Sequence, residues 1–539
     1  MGGLKRVLVV VELLFLLATT WWPCTEAAVH KYKKLPIVCQ YENGGDSCYQ
    51  WGGREGMFAS GSARMLPRFF VFAKGLNDGR SQIKLDKLRF VREGSNTGSD
   101  SESSRRFVYV VIFEGNDYRK RVGYPSSANP NAQNYCCTEE IKGRKDCTRE
   151  LVVSTYGEDE RPWPRILDYE FSGNKTESFS PNTVDITRTG MYYMLFIVCD
   201  KSLTKVYVDG ETVWKNPMGY LPGMVAPKLA FYAFLSFCYL VLGVIWFVQY
   251  TRYWRDILQL QNCITLVLFL GMSETATWYF DFVNFNSTGS RPIGVTMWAV
   301  LLGALRKALS RMLVLVVSMG YGVVRPTLGG LTNKVLFLGI TDFVAICSFD
   351  MMQYVGAVDD KAPAARMFLT LPVAVLDAIF ILWIFTSLSR TLSQLQARRQ
   401  TAKLELYRKF TNVLAITVVV SVAWIAYEFY LKVEDQYVEN WEMDWIVHVV
   451  WQALNFGLLC TICYLWAPNQ NATRYAYSED VGEEDEGSET APLKASGAKS
   501  GAGTMELSSE SALKAEKPKQ PISTDVFSLD DDMEEGKLE

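Results

Sequence analysis

Histidine is almost absent from this chain of 539 residues. The two histidines, His30 and His448, cannot form an HExxH helix or a histidine-box metal centre. No GxSxG elbow surrounds Ser273, the serine that would pair with His448. Neither Asp342 nor Asp377 lies in the GxGD motif of an intramembrane protease. We therefore expect a protein that is not an enzyme and that has no metal or cofactor.

Two further absences limit the partners. The sequence has no run of Lys and Arg with interleaved aromatic residues, and its formal net charge is -3, so nucleic acid is not expected to bind. The N-terminal half has no paired CxxC units, which makes zinc the less favoured interpretation of its cysteines and disulfides the favoured one. Geometry disfavours only a bond between the adjacent Cys136 and Cys137. The six cysteines are Cys39, Cys48, Cys136, Cys137, Cys147 and Cys199.

Long apolar runs, in contrast, are plentiful. Seven stretches between about Met224 and Trp466 are each long enough to cross a bilayer, and aromatic residues flank them. They cover residues 227–250, 258–280, 293–317, 335–355, 367–388, 413–431 and 445–466. We predict a polytopic α-helical membrane protein with a seven-helix bundle over residues 223–466, embedded in a lipid bilayer.

The N-terminus predicts export of the segment that follows it. Lys5 and Arg6 precede a short apolar run over residues 7–17, and Ala27 and Ala28 offer a cleavage site. This pattern is typical of a signal peptide, here residues 1–27. An eighth spanning helix is less favoured because the run is short. Residues 28–222 are therefore expected in the lumen.

The distribution of cations predicts the same orientation. If the N-terminal half is lumenal, the lumenal loops between helices hold only Arg291, Lys361 and Lys432. The opposite loops hold Arg252, Arg255, Arg325, Lys334, Arg390, Arg398, Arg399, Lys403, Arg408 and Lys409. This asymmetry follows the positive-inside rule and places the C-terminus in the cytosol.

Residues 28–222 have the alternation that is typical of strands. Short apolar runs, such as those over 106–113 and 191–198, are separated by Gly, Asn and Asp, which predicts an all-β sandwich. Asp209-Gly210, between two apolar pairs, predicts a hairpin turn. Asn174 and Asn286 begin glycosylation sequons on the lumenal side, the second in a short loop close to the membrane.

Residues 467–539 are rich in Glu, Asp, Ser, Gly and Ala. A segment with so few apolar residues cannot offset the entropy of ordering, so we predict a disordered acidic tail. Apolar residues among acidic ones over 524–532 favour a short motif that sorting adaptors would read and that phosphorylation of Ser528 would tune. A tail that only solvates the protein is the alternative.

The third predicted helix is unusual because three cations lie deep within it. Arg306, Lys307 and Arg311 form one broad basic wall, and each would cost roughly 3 kcal/mol or more unless it is paired or hydrated. A polar cavity at this wall could hold a phospholipid headgroup or form part of an ion path, whereas a salt-bridge network that only joins helices is the structural alternative. The acidic candidates to face the wall are Glu274, Asp342, Asp350, Asp377 and Glu428.

Four motifs in the membrane half carry a family resemblance: YWRDILQLQ from Tyr253, FLGMSE from Phe269, GALRKALSRMLVLVVSMGYGVVRPTLG from Gly303, and SRTLSQLQARRQTAKLELYRKFTN from Ser389. They resemble the lung seven-transmembrane receptor family, also called GOLD-domain seven-transmembrane (GOST) proteins, and within it the transmembrane-protein-87-like branch. The resemblance implies a GOLD-like fold for the lumenal sandwich. It also implies residence in Golgi and post-Golgi membranes, with proposed roles in endosome-to-Golgi traffic and in cation conduction.

Three functions are compatible with such a protein. The favoured one is support of membrane traffic, in which the lumenal sandwich binds a protein or lipid ligand and the tail binds sorting adaptors. The alternative is a cation channel or channel regulator, in which Glu274 of the FLGMSE motif would control the path. A G-protein-coupled receptor is less favoured, because the third helix ends in Ser318-Met319-Gly320 instead of an acidic-Arg-Tyr switch and the seventh has no NPxxY sequence.

Overall fold

The computed structural model describes residues 28–39, 47–61, 79–92, 106–125, 133–137, 147–148, 150–156, 163–172, 175–176, 182–200, 203, 205–321, 329–354, 363–433 and 441–468. The chain divides into two compact units, Met1–Asp480 and Val481–Glu539, and every described residue belongs to the first. Three predicted features lie outside the described residues: the signal peptide, the sequon at Asn174, and the acidic tail with Ser528.

Strands form throughout the N-terminal half, as the alternation predicts. They are β1 (Val29–Pro36), β2 (Val38–Cys39), β3 (Cys48–Met57), β4 (Gln82–Arg92), β5 (Phe107–Glu114), β6 (Tyr124–Pro125), β7 (Gln133–Asn134), β8 (Cys147–Thr148), β9 (Leu151–Val152), β10 (Arg165–Ser172), β11 (Lys175–Thr176), β12 (Asn182–Asp185), β13 (Gly190–Val198) and β14 (Val206–Lys215). The main sheet has the order β1-β14-β4-β11-β10-β5-β13-β3-β2, with β12 paired to β4. All of its described pairings are antiparallel.

The main sheet folds over so that its two parts face each other across an apolar core. Strand β4 contributes Ile83 and Phe90 to this core, while β13 contributes Met194 and Phe196 and β14 contributes Trp214. The ring of Phe90 meets the ring of Phe196 edge-on, with 5.7 Å between centroids. The N-terminal half is therefore a β-sandwich, in agreement with the predicted fold class.

Strand β5 is covered on both faces. Val108, Val110 and Ile112 point into the sandwich core, whereas Tyr109 and Val111 pack against a second apolar layer. That layer is formed by the short helix α1 (Gly115–Arg121) and by the segment that follows it. A strand buried on both faces has a continuous apolar sequence, which explains why alternation is lost in this part of the chain.

Three disulfides tie this region together: Cys39–Cys48, Cys136–Cys199 and Cys137–Cys147. The first joins β2 to β3, and the second links the outer layer to the residue that follows β13. The predicted use of these six cysteines in disulfides is confirmed, and the zinc alternative is wrong because all six sulfur atoms are bonded.

The hairpin turn predicted at Asp209-Gly210 is wrong. Strand β14 continues through these residues, and its register with β4 shifts between Asp209 and Glu211. Gly210 instead lies in a β-bulge, with φ of +126°, and a Cβ atom there would lie 2.4 Å from the Lys87 carbonyl oxygen. Bulges and hairpin turns both use glycine for a backbone that other residues rarely adopt, so the dipeptide alone does not distinguish them.

Seven long helices follow the sandwich in the described part of the chain. They are α2 (Ala226–Arg252), α3 (Gln259–Thr288), α4 (Ile293–Ser318), α5 (Leu331–Tyr354), α6 (Pro363–Ala397), α7 (Thr401–Val433) and α8 (Asp444–Leu465). Six of them are long and apolar enough to cross a membrane, α4 being the exception. Its three cations interrupt the apolar sequence, yet α4 has 26 residues and packs against α3, α5 and α6.

Hydropathy predicted the ends of α2, α4 and α8 within a few residues, but three helices extend further. Helix α3 continues past the predicted end at residue 280 as far as Thr288. Helices α6 and α7 continue towards each other to Ala397 and Thr401. A hydropathy window follows apolar residues only, so polar helical turns beyond the bilayer escape it.

Candidate functional site

The three cations of α4 lie near the middle of the membrane bundle. Arg306 is thirteen residues after Ile293, the sandwich-side end of α4, which places it about 20 Å along the helix. Lys307 is the next residue, and Arg311 lies one turn further on. At this depth each cation needs a charged partner, water or a lipid headgroup.

Arg306 is paired with a carboxylate from the neighbouring helix. Its Nε donates to Glu274 Oε2 on α3, and its Nη2 donates to Gln452 Oε1 on α8 at 3.1 Å. Both charged side chains are buried, at 3% and 2% exposure. Gly303, on the preceding turn of α4, leaves room for the carboxylate, since a Cβ atom there would lie 2.9 Å from Glu274 Oε1. One ion pair therefore joins α3, α4 and α8.

The other two cations pair on the opposite flank of α4. Lys307 Nζ lies 2.7 Å from Asp350 Oδ2 on α5. Arg311 bridges two helices, because Nη1 lies 2.8 Å from Asp342 Oδ1 on α5 and Nη2 lies 2.6 Å from Asp377 Oδ1 on α6. This set is less buried than the first: Lys307 and Arg311 are 30% and 29% exposed, and Asp377 is 38% exposed.

The ion pairs of α4 thus bring the three predicted cations together with Glu274, Asp342, Asp350 and Asp377. Glu428 lies on α7, which packs mainly against α6 and α8, and its place in the site stays a prediction. Three cations and four carboxylates form a cross-link between helices rather than a free basic wall.

His448 has a partner of its own. Its Nε2 lies 2.7 Å from the Tyr232 hydroxyl oxygen, so the contact joins α8 to α2. The described residues contain no group of three or more His, Cys, Asp or Glu side chains that could hold a metal ion. The contact between His448 and Tyr232, like the ion pair of Arg306, joins side chains from different helices.

A second buried ion pair was not predicted. Arg291 Nε lies 3.1 Å from Asp281 Oδ2, and Thr296 Oγ1 donates to Asp281 Oδ1 at 2.6 Å. The sequence assigned Arg291 to a lumenal loop, but its guanidinium lies within 5.4–5.9 Å of four aromatic rings. Those rings belong to Trp278, Phe282, Phe285 and Tyr354. Asp281 lies one residue beyond the predicted end of its helix, which is why hydropathy missed it.

Asn286 connects the bundle to the sandwich. Its Nδ2 donates to the Met218 carbonyl at 3.0 Å, and its Oδ1 accepts from the Leu221 amide at 3.1 Å. The Tyr220 amide donates to the Asn286 carbonyl at 3.1 Å. Asn286 is only 7% exposed, so a glycan at its Nδ2 would have to occupy the space of the turn at 218–221. This enclosed position disfavours glycosylation at Asn286, which stays a prediction.

Trp441 makes a second connection, which sequence reasoning also missed. This residue begins a short 3-10 helix before α8 and is 4% exposed. Its ring fills a socket in the sandwich and the segment after it: Cβ atoms at Gly56 and Gly223 would lie 2.4 and 2.7 Å from the indole, and Phe58 packs beside it at 5.6 Å. The Gly223 amide donates to the Gly56 carbonyl at 2.8 Å. Tryptophans are common at membrane interfaces, so the sequence around Trp441 does not indicate that its ring enters the sandwich.

The membrane half is similar to a known family. The family model described as "GOST, seven transmembrane domain" matches residues 227–473. This range includes every residue of the ion pairs on α4. The sandwich precedes it.

Relatives of known name match over a longer segment. Transmembrane protein 87A of Xenopus tropicalis is 30% identical over 364 residues, which cover 66% of this chain and 66% of the relative. Transmembrane protein 87B of Mus musculus is 30% identical over 338 residues, covering 61% and 60%. Transmembrane protein 87A of Homo sapiens is 34% identical over 297 residues, covering 54% and 52%. The matches thus span 52% to 66% of the length of these relatives, and the resemblance inferred from the motifs is confirmed.

Proposed function

Because this chain belongs to the GOST seven-transmembrane family, on the branch of the transmembrane protein 87 relatives, we propose that it supports membrane traffic in the Golgi and post-Golgi compartments. The sandwich faces the lumen and binds a protein or lipid ligand. The C-terminal tail lies in the cytosol, where sorting adaptors bind it. The protein acts by binding, without catalysis.

The observation that carries this proposal is the double attachment of the sandwich to the bundle. Asn286 holds the segment after the sandwich from α3, and Trp441 enters the sandwich from the start of α8. These contacts involve the second and the last of the seven long helices, so a ligand that shifts the sandwich also displaces two membrane helices. Such an arrangement suits a receptor that reports lumenal occupancy across the membrane.

The ion pairs favour this proposal over conduction. All three cations on α4 are directly paired among the described residues, and a buried pair of this kind holds helices in register. A path for free cations past Arg306 would have to open that pair. The network therefore supports a bundle that is cross-linked at its centre.

One observation favours the second candidate function, a cation channel or a channel regulator. Lys307, Arg311 and Asp377 remain about one-third exposed at mid-bundle depth. Charged groups in hydrocarbon are costly, so water or the headgroup of a phospholipid has to reach this edge of the bundle. Water or a headgroup at this position would make the edge formed by α4, α5 and α6 the place where ions enter.

A paired experiment separates the two functions. The first arm measures cation flux into proteoliposomes that contain purified wild type, Asp377→Asn or Trp441→Ala. The second arm measures rescue of endosome-to-Golgi transport by the same variants in cells that lack the protein. A traffic role predicts no flux above protein-free liposomes, rescue by Asp377→Asn, and no rescue by Trp441→Ala. Flux that Asp377→Asn abolishes, together with failed rescue by that variant, would establish conduction instead.

A further inference from the structure

Helices α6 and α7 meet in a strongly basic hairpin at the end of the bundle opposite the sandwich. We name residues 389–410 the distal hairpin. It carries six cations and a single carboxylate, that of Glu405. The cations are Arg390, Arg398, Arg399, Lys403, Arg408 and Lys409.

The distal hairpin is folded against the bundle rather than loose. Leu395, Tyr407 and Phe410 have no exposed surface, and Trp466 at the end of α8 packs edge-on against Phe410 at 5.2 Å. The hydroxyl of Tyr407 donates to the Val317 carbonyl at 3.2 Å. The apolar side is therefore buried, which leaves the cations on a surface of fixed shape.

These contacts also set the height of the hairpin relative to the bilayer. Thr391 Oγ1 donates to the Ser318 carbonyl at 2.8 Å, so Thr391 is level with the end of α4, as is Tyr407. The tips of the two helices, Ala397 and Thr401, lie six residues further on, which is about 9 Å. One headgroup layer is about 5–8 Å thick. The cations of the distal hairpin consequently span the depth of a headgroup layer and its outer edge.

Most of the hairpin cations are exposed, and three of them make no ion pair within the part of the chain that the structure describes. Arg390, Arg399 and Arg408 are exposed and make no ion pair among the described residues, while Lys409 pairs with Glu405 at 2.9 Å. The positive-inside rule explains why cations occur in a loop on this side of the membrane. It does not explain why they lie on a folded surface at a fixed depth, because the rule acts on the sequence during insertion, before the hairpin folds. A disordered basic loop would satisfy that rule equally well.

We propose that the distal hairpin is a binding surface for the phosphate-bearing headgroups of anionic phospholipids in the adjoining leaflet. Guanidinium groups match phosphate geometry, and the hairpin presents them at headgroup depth on a rigid support. An acidic peptide would satisfy the charge but not explain this depth. The inference does not depend on the traffic role, nor on which leaflet is cytosolic, because a symmetric bilayer or micelle offers the same headgroups.

The test counts bound lipids on the full-length protein. Protein purified in neutral detergent is incubated with equimolar phosphatidylcholine and phosphatidylserine, and native mass spectrometry gives the ratio of the two lipids retained. The hairpin variant is Arg390→Gln/Arg399→Gln/Arg408→Gln. The matched control is Arg252→Gln/Arg255→Gln/Lys334→Gln, which removes three exposed cations from the same end of the bundle but outside the hairpin. Thermal unfolding of each variant checks that it is folded.

We expect the wild type to retain phosphatidylserine selectively. Each hairpin cation contributes about fivefold near an anionic surface, so the hairpin variant should lose selectivity by roughly tenfold or more while the control stays within about twofold of wild type. Equal losses in both triple variants would show a general charge effect and overturn the proposal, as would a hairpin variant that equals wild type. A third arm adds inorganic phosphate as competitor: displacement of phosphatidylserine by phosphate would assign the surface to free anions instead of lipids.

Discussion

Arg306 is the residue whose burial is hardest to accommodate in the membrane half. Its side chain is 3% exposed, and an unpaired cation at this depth costs roughly 3 kcal/mol or more. Glu274 and Gln452 meet it from two other helices. The bundle is therefore stable at this depth because Arg306 and its partners stay in contact, and neither charge is stabilising alone.

Replacing Glu274 by Gln should destabilise the bundle strongly. The substitution leaves the Arg306 charge buried without a counter-charge, which costs about 3–5 kcal/mol when one member of a buried pair is removed. The measurement is the thermal unfolding midpoint of the purified protein in detergent. Glu442→Gln is the matched control, because Glu442 lies on the short helix before α8 and is exposed, so it should change the midpoint little.

The double variant Glu274→Met/Arg306→Met tests whether the lost stability comes from the unpaired charge of Arg306. Removing both charges leaves no unpaired ion, so most of the stability lost in Glu274→Gln should return. A double variant as unstable as the single one would contradict this account. It would show that the two polar side chains satisfy other groups in the bundle.

The stability of the sandwich should depend on pH through Glu114, at the end of β5. Its carboxyl should favour the folded sandwich more in mild acid than at neutral pH. Burial and the charge of Asp117 raise the pKa of the Glu114 carboxyl, with Arg188 opposing them. A carboxyl with a raised folded-state pKa favours folding at pH values below its unfolded pKa, and this contribution is lost as the pH rises through the folded pKa. Glu114→Gln should therefore raise the unfolding midpoint at about pH 7 more than at about pH 4.

The comparison variant for this pH effect is Asp185→Asn, which changes an exposed carboxylate on β12. Thermal unfolding of wild type and both variants across the same pH series gives the result. If the Glu114→Gln difference from wild type is the same at both ends of the series, Glu114 does not titrate in the way proposed.

At the scale of elements, the connection between sandwich and bundle depends on a shape match. Trp441 fills a socket that exists only because Gly56 and Gly223 lack side chains. The short helix that carries Trp441 leads directly into α8, and α8 also supplies Gln452 to the central ion pair. A displacement of Trp441 would therefore shift α8 and, with it, the contact between Gln452 and Arg306 at the middle of the membrane.

Trp441→Ala should loosen the sandwich from the bundle. Truncating a buried tryptophan costs about 3–5 kcal/mol because a cavity replaces the ring. We expect faster limited proteolysis between the sandwich and α2, and a lower unfolding midpoint. Trp254→Ala, which truncates a tryptophan that is 66% exposed, should change neither.

A substitution that adds volume to the socket, instead of removing the ring that fills it, tests the same contact. Gly56→Ala would place a methyl group 2.4 Å from the indole, so it should produce the same proteolysis pattern by expelling the ring. Protection equal to wild type in Gly56→Ala would mean that the socket adjusts and that the match is not needed.

At the scale of the whole molecule, orientation connects the structure to its proposed compartment. The sandwich and the distal hairpin lie at opposite ends of the bundle, and we propose that the sandwich is lumenal. Glycosylation reports this directly, because only lumenal sequons are modified. Asn174 and Asn286 begin two such sequons, and Asn286 is buried at the junction.

Asn174→Gln should abolish the mobility shift that a glycosidase produces on gels, whereas Asn286→Gln should leave it unchanged. The first sequon lies in the proposed lumenal domain, and the second has its Nδ2 bonded to the Met218 carbonyl. If the wild-type protein carries no glycan, glycosylation gives no support for a lumenal sandwich. A shift lost only in Asn286→Gln would contradict the junction.

Prediction from sequence succeeded where a property is local in the chain. The seven long helices, the strands and the disulfide use of six cysteines follow from hydropathy, alternation and compartment. It failed at Asp209-Gly210, where a bulge and a turn share one dipeptide. The role of that glycine depends on the strand that lies opposite it.

Hydropathy and residue alternation are enough to establish the class of this protein, because burying apolar residues in lipid or in a sandwich core dominates the free energy of each segment. The same pattern shows that the cations of α4 need partners. Packing in three dimensions selects which carboxylates those are, encloses Arg291 with aromatic rings and brings Trp441 into the sandwich. Pairing and socket contacts join residues far apart in the chain, so their geometry exists only after the helices and strands have packed.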